Sequence, residues 1–193
     1  NGYLTRQAWN QPNDDTKHSV LVDMNNDGWI DVLSANYQYP NTLYYNNNGT
    51  FNNSPDWTTW PYEGISHGLS VGDVNGDGDL DVHFSRKYDI VLEGINGNIS
   101  NNSLWTEPSL SIDDGEFGNS TGYSITFLSS LADIDRDGDL DIIQQNSRGT
   151  TLDFEIQAYD LIWLNDGNGN FGIQNAPAAD QPNWASWHAH VGE

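Results

Sequence analysis

Short apolar runs alternate with clusters of Asp, Asn and Gly along most of the chain. Ser19 to Val22, Leu69 to Val71 and Ile125 to Leu131 are apolar or small-residue stretches, and each leads into an acidic cluster. Beyond each cluster apolar and polar positions alternate: Ile30, Val32 and Leu33; Leu80, Val82 and Phe84; Leu140, Ile142 and Ile143. Runs this short, rich in β-branched residues and bounded by turn formers, read as strands. A second turn signal follows each of them. Leu43–Phe51 carries Asn-Asn-Asn-Gly, Ile90–Asn98 carries Asn-Gly, and Leu161–Phe171 sets Asp-Gly between two apolar runs. No segment shows the period of an amphipathic helix. The expected fold class is all-β, built from units of about four short antiparallel strands.

The acidic clusters superimpose. Asp23-Met-Asn-Asn-Asp-Gly-Trp-Ile-Asp31, Asp73-Val-Asn-Gly-Asp-Gly-Asp-Leu-Asp81 and Asp133-Ile-Asp-Arg-Asp-Gly-Asp-Leu-Asp141 start 50 and then 60 positions apart. A further step of 60 lands on Glu193, where Val191-Gly192-Glu193 aligns with Val71-Gly72-Asp73. A fixed spacing of this size marks a repeat architecture. The expected organisation is one repeat domain over 1–193, with units at about 1–56, 57–117 and 118–183 and a partial fourth at 184–193. Three such units leave open strand edges, so the chain is expected to join further blades or copies.

Within each cluster, oxygen-bearing side chains stand at positions 1, 3, 5 and 9, with Gly at position 6. Calcium takes about six to eight oxygens at roughly 2.3–2.6 Å. Alternate residues of a tight loop can point inward together, and Gly makes the sharp turn. Position 7 would contribute its backbone carbonyl, which lets Trp29 stand where Asp79 and Asp139 stand in the other copies. Position 8, which is Ile30, Leu80 and Leu140, is expected to anchor the next strand in the core. An EF-hand would need a bidentate Glu at position 12 and flanking helices. Position 12 is Ser34, Phe84 and Gln144, and the flanks are strand-like. Turns that bind nothing would not need aligned oxygens in three copies, and uncompensated carboxylates this close repel. About three calcium ions are expected.

Composition narrows the partners. The chain has 28 acidic and 6 Lys and Arg residues, a net charge of −22. It should repel nucleic acid and anionic membrane and attract cations. There are no cysteines, so thiolate metal sites are excluded. No apolar run reaches the ~20 residues of a membrane span. Eight Trp, nine Tyr and six Phe provide bulky core material.

The motif Asp-x-Asn/Asp-x-Asp-Gly-x-x-Asp followed by an apolar strand resembles the FG-GAP or VCBS repeat of integrin alpha-chain propellers and many secreted microbial proteins. The resemblance extends over nearly the whole chain, although the Phe-Gly-Gly-Ala-Pro run of the integrin version does not occur. It implies β-propeller blades with calcium in the loops between strands. The implied ligands are Asp23, Asn25, Asp27, Trp29 and Asp31; Asp73, Asn75, Asp77, Asp79 and Asp81; and Asp133, Asp135, Asp137, Asp139 and Asp141.

Other chemistry is weaker. Gly64-Ile-Ser66-His67-Gly68 matches a nucleophile elbow, but that needs a strand before it and a helix after it. His18 lies five residues before its loop and His188 five before Glu193, so His67 reads as a repeated packing position. His188 and His190 read as a solvated strand edge, and Asp113, Asp114 and Glu116 as solvated surface. Most Trp residues, including Trp57, Trp60, Trp184 and Trp187, read as core rather than sugar platforms. Sequons begin at Asn48, Asn52, Asn98, Asn101 and Asn119. The expected function is a non-enzymatic calcium-binding module, extracellular or at the cell surface, for adhesion or for binding a carbohydrate or protein ligand. Two alternatives are a structural subunit of a surface layer, sheath or filament, and a non-catalytic propeller part of a secreted polysaccharide-degrading enzyme.

Overall fold

The computed structural model describes residues 15–59, 65–86, 88–108, 125–147, 150–151, 154–155 and 161–174. The described residues are all-β, with three four-stranded antiparallel sheets. The first sheet runs in sequence order through β1 (Asp15–Val22), β2 (Asp31–Tyr37), β3 (Thr42–Tyr44) and β4 (Trp57–Thr58). The second does the same through β5 (Ser66–Gly72), β6 (Asp81–Arg86), β7 (Ile90–Ile95) and β8 (Asn98–Thr106). The third uses β9 (Ile125–Ala132), β10 (Asp141–Ser147), β13 (Leu161–Asn165) and β14 (Phe171–Gln174). A small hairpin, β11 (Thr150–Thr151) with β12 (Phe154–Glu155), interrupts it. No helix of the described residues is long and apolar enough to cross a membrane. The expected partial fourth unit at 184–193, with Trp184, Trp187, His188 and His190, lies outside the described residues, as do Trp60, Asp113, Asp114, Glu116 and Asn119.

The sheets are propeller-like blades stacked face to face. Strand alternation gives each sheet two faces, and a neighbouring blade can bury either one. In the second blade, Val82, Phe84, Ile90 and Leu92 pack on Leu33, Ala35 and Leu43 of the first. Val91 and Trp105 point the other way, toward Ile142 and Trp163 of the third. Trp57 stacks on Phe84 with centroids 6.4 Å apart, and Trp105 meets Trp163 edge-on at 5.0 Å. Trp163 is core, and Trp57 and Trp105 are half-buried against the two clusters. Trp29 is exposed, at 43%.

Three expectations need correction. The hairpin expected to end at Phe51 returns later: Asn47 and Thr50 form only an isolated bridge, and β4 starts at Trp57. Ile30 does not anchor in a core, being 50% exposed, whereas Leu80 and Leu140 pack between blades. The reason is positional: Leu80 and Leu140 each face the preceding blade, and among the described residues no blade lies on that side of Ile30. His67 is not equivalent to His18. Each first strand carries one bulged residue, at Lys17, His67 and Phe127. His67 therefore corresponds to Lys17, while His18 pairs in register with Ala35. Both histidines still pack: His18 Nδ1 accepts from Leu69 N–H at 3.3 Å, and the His67 ring lies 5.6 Å from that of Tyr37.

Candidate metal centre

Each acidic loop closes the hairpin between the first and second strands of its blade. Val22 pairs with Asp31, Gly72 with Asp81, and Ala132 with Asp141, so positions 1 to 8 form the connection. Side-chain oxygens hold the turn by accepting from its amides. Asp23 accepts from Asp27 and Gly28, and Asp73 from Gly76, Asp77 and Gly78. Position 3 accepts from the position 5 amide: Asn25 at 3.1 Å, Asn75 at 3.0 Å and Asp135 at 3.3 Å. Position 5 accepts from the position 7 amide, at 2.8, 2.8 and 3.1 Å. These short-range bonds explain why Asp and Asn recur at alternate positions.

Position 9 has a second task that the sequence did not reveal. Asp31, Asp81 and Asp141 are completely buried. One oxygen of each accepts from the position 2 amide, of Met24, Val74 or Ile134, at 2.8–2.9 Å. The other accepts from a backbone amide at or just past the far end of the third strand, at Asn46, Gly94 or Asn165. The residue clamps its loop to the second half of the blade. Burial raises the Asp31 and Asp81 carboxyls above the ordinary carboxylate range, and the charges of positions 5 and 1 push the same way. Two backbone donors on each oppose that rise.

The first two loops also lean on the next blade. Val74 O accepts from Asn165 Nδ2 at 2.6 Å. A side chain at Gly97, whose φ is +76°, would come within 2.6 Å of Asn25 Cα. Position 2 adds a further anchor beside Leu80 and Leu140 at position 8: Met24 and Val74 are buried between blades. Its signal was present, since position 2 is Met, Val and Ile in the three copies. The position 7 carboxylate of Asp79 accepts from Asn96 N–H at 2.8 Å, while Trp29 has no such role.

The loops differ at position 3. In the first two, the Asn25 and Asn75 amides donate to Asp27 and Asp77 Oδ2 at 3.0 and 2.9 Å. In the third, Asp135 stands there instead. One oxygen each from Asp133, Asp135 and Asp141 lies within 4.8 Å of the others, a cluster that could hold a metal ion. Among the described residues no other group of acidic or His side chains gathers this closely. Desolvation within the loop, then the Asp137 charge, raises the Asp135 and Asp139 carboxyls.

Residues 23–84 match the family model of the FG-GAP-like repeat. That segment is similar to an FG-GAP-like repeat. The matched segment runs from the first loop through the second to β6, and so takes in two copies of the acidic motif. No curated protein matches the chain.

A second polar constellation lies between the second and third blades. Ser129 Oγ is 2.6 Å from both Ser85 Oγ and His83 Nδ1. His83 Nε2 lies 3.1 Å from Asp89 Oδ2, without hydrogen-bond alignment. Asp89 N–H donates to Glu107 at 3.1 Å, and Gln144 Nε2 donates to Glu107 at 3.0 Å. A Ser-His-Asp order has the composition of a hydrolytic triad. Here His83 and Asp89 are 0% exposed and Ser129 3%, so a substrate would have to part the blades to reach it. The residues come from distant segments, which hid them from sequence reading. Ser66 of the elbow-like motif is also buried, on β5, and accepts from Asn41 Nδ2 at 3.0 Å.

Proposed function

We propose that the chain is a calcium-stabilised repeat module, working outside the cell or at its surface in adhesion or ligand binding. The observation that carries this reading is the crowding of Asp133, Asp135 and Asp141 at the tip of a hairpin whose motif occurs three times. Such a cluster repels itself until a cation compensates it. The donors are carboxylate, amide and carbonyl oxygens, which suit a hard cation of calcium's size rather than a softer metal. In the third loop Asp133, Asp135, Asp137 and Asp141 would bind through side chains and Asp139 through its carbonyl. In the first, Asp23, Asn25, Asp27 and Asp31 would do the same with the Trp29 carbonyl. In the second, Asp73, Asn75, Asp77 and Asp81 would join the Asp79 carbonyl. The FG-GAP-like match supports the module reading. The buried state of Ser66 and of Ser129 supports a role that is not catalytic.

Calcium bound only by the folded state stabilises it by mass action. Melting followed by circular dichroism should shift upward with calcium and downward with excess chelator. Identical curves in the two conditions would remove the proposal. Calorimetric titration of Asp135→Asn should show the tightest site weakened toward the other two, because ligand charge tunes affinity.

A further inference from the structure

We propose that Asn75 is a deamidation site gated by the cation of its loop. The second loop alone places Asn-Gly at positions 3 and 4; the first has Asn25-Asn26 and the third Asp135-Arg136. Glycine at 76 leaves its amide sterically open to attack the Asn75 side chain. In the closed loop both partners are held. The Gly76 N–H donates to Asp73 Oδ1 at 2.8 Å. Asn75 Oδ1 accepts from Asp77 N–H at 3.0 Å, and Asn75 Nδ2 donates to Asp77 Oδ2 at 2.9 Å. Gly76 itself sits at φ +74°. Two of these bonds end on the carboxylates of Asp73 and Asp77, which a cation would hold together, and the third on the Asp77 backbone amide. Without it they repel each other and Asp81, and the loop that restrains Asn75 opens. The inference thus rests on the cation reading of the loops.

The chemistry needs only water. The Gly76 amide nitrogen bonds to Asn75 Cγ and loses its proton; Nδ2 leaves as ammonia, and a cyclic imide remains. Water then opens the imide at either carbonyl. One product is aspartate at 75, which gives this loop the four side-chain carboxylates of the third. The other is isoaspartate, which adds a methylene to the backbone and moves Gly76 and Asp77 out of register. Cation loss is thereby recorded covalently in one loop.

Four other Asn-Gly pairs lie outside the acidic loops, and two of them serve as internal references. Asn48-Gly49 is in the β3–β4 connection and Asn168-Gly169 in the β13–β14 turn. The full chain should be incubated with excess calcium and with excess chelator, at a temperature where circular dichroism shows both samples folded. Peptide mass spectrometry then reads acid in place of amide at each site. Conversion at Asn75 relative to Asn48 and Asn168 should be several-fold greater with chelator. The same ratio in both arms, with calcium binding confirmed by titration, would overturn the gating alone. No calcium binding in that titration would overturn the cation reading and the gating with it. Asn75→Asp should keep the second site and tighten it; loss of that site would refute the conversion to a third-loop ligand set.

Discussion

The two blade interfaces are built from matching strand positions, each around an apolar cluster, but at several of those positions their chemistry differs. Between the first and second blades, Leu33 and Ala35 meet Phe84 and Val82, and all four are at most 1% exposed. Between the second and third, the positions of Leu33 and Ala35 are taken by His83 and Ser85, and that of Asn41 by Asp89. The facing strand offers Ile142 but also Gln144, and Ser129 bridges across. The first interface is stabilised by area removed from water, which tolerates small shifts. The second adds to its own apolar cluster a set of buried polar groups that satisfy one another, and these fail together when one is lost. The repeat therefore fixes where blades touch, not what they touch with.

The largest expected effect falls on the apolar side. Phe84 packs on Trp57 and is 1% exposed. Phe84→Ala should cost about 3–5 kcal/mol in urea unfolding with calcium present. A loss below about 1 kcal/mol would mean that the first interface does not hold the blades together.

The polar side allows a sharper contrast. Asp89 Oδ1 accepts from Arg86 N–H at 2.8 Å, while Oδ2 lies beside His83. Asp89→Ala strands both groups and should cost about 3 kcal/mol. Replacing the pair with the residues of the first blade, His83→Leu with Asp89→Asn, should stay within about 1 kcal/mol of the parent. If the double variant is as damaging as the single one, the two interfaces are not interchangeable.

This contrast also marks what the sequence could reveal. The acidic loops were legible because their chemistry is local: oxygens at alternate positions and Gly at the turn lie within nine residues of one another. The strand pattern was legible for the same reason. The clamp by Asp31, Asp81 and Asp141 was not, because its second partner lies 13 to 24 residues away. The His83 constellation was still less visible, with Ser129 46 residues from His83. A single bulged residue was enough to misalign His67 with His18. Ile30 was misplaced because burial at position 8 depends on the preceding blade, not on the residue.

The smallest effect is a pH dependence confined to the polar interface. Burial pushes the Glu107 carboxyl up from 4.5 to about 7, and the nearby Asp89 charge adds to it. The Asp89 amide and the Gln144 side chain act in the opposite direction. Between the two values the folded chain keeps a proton that the unfolded chain releases. Stability should therefore fall as pH rises through that window, then level off above it. Glu107 is only partly buried, so solvent tempers the change. Glu107→Gln removes the titration and keeps an acceptor for the Asp89 amide. Unfolding at about pH 5 and about pH 8, in saturating calcium so that the loop carboxylates stay ionised, should show a smaller pH difference in the variant than in the parent. An equal difference would place the pH sensitivity elsewhere and leave Glu107 as a packing residue of the second interface.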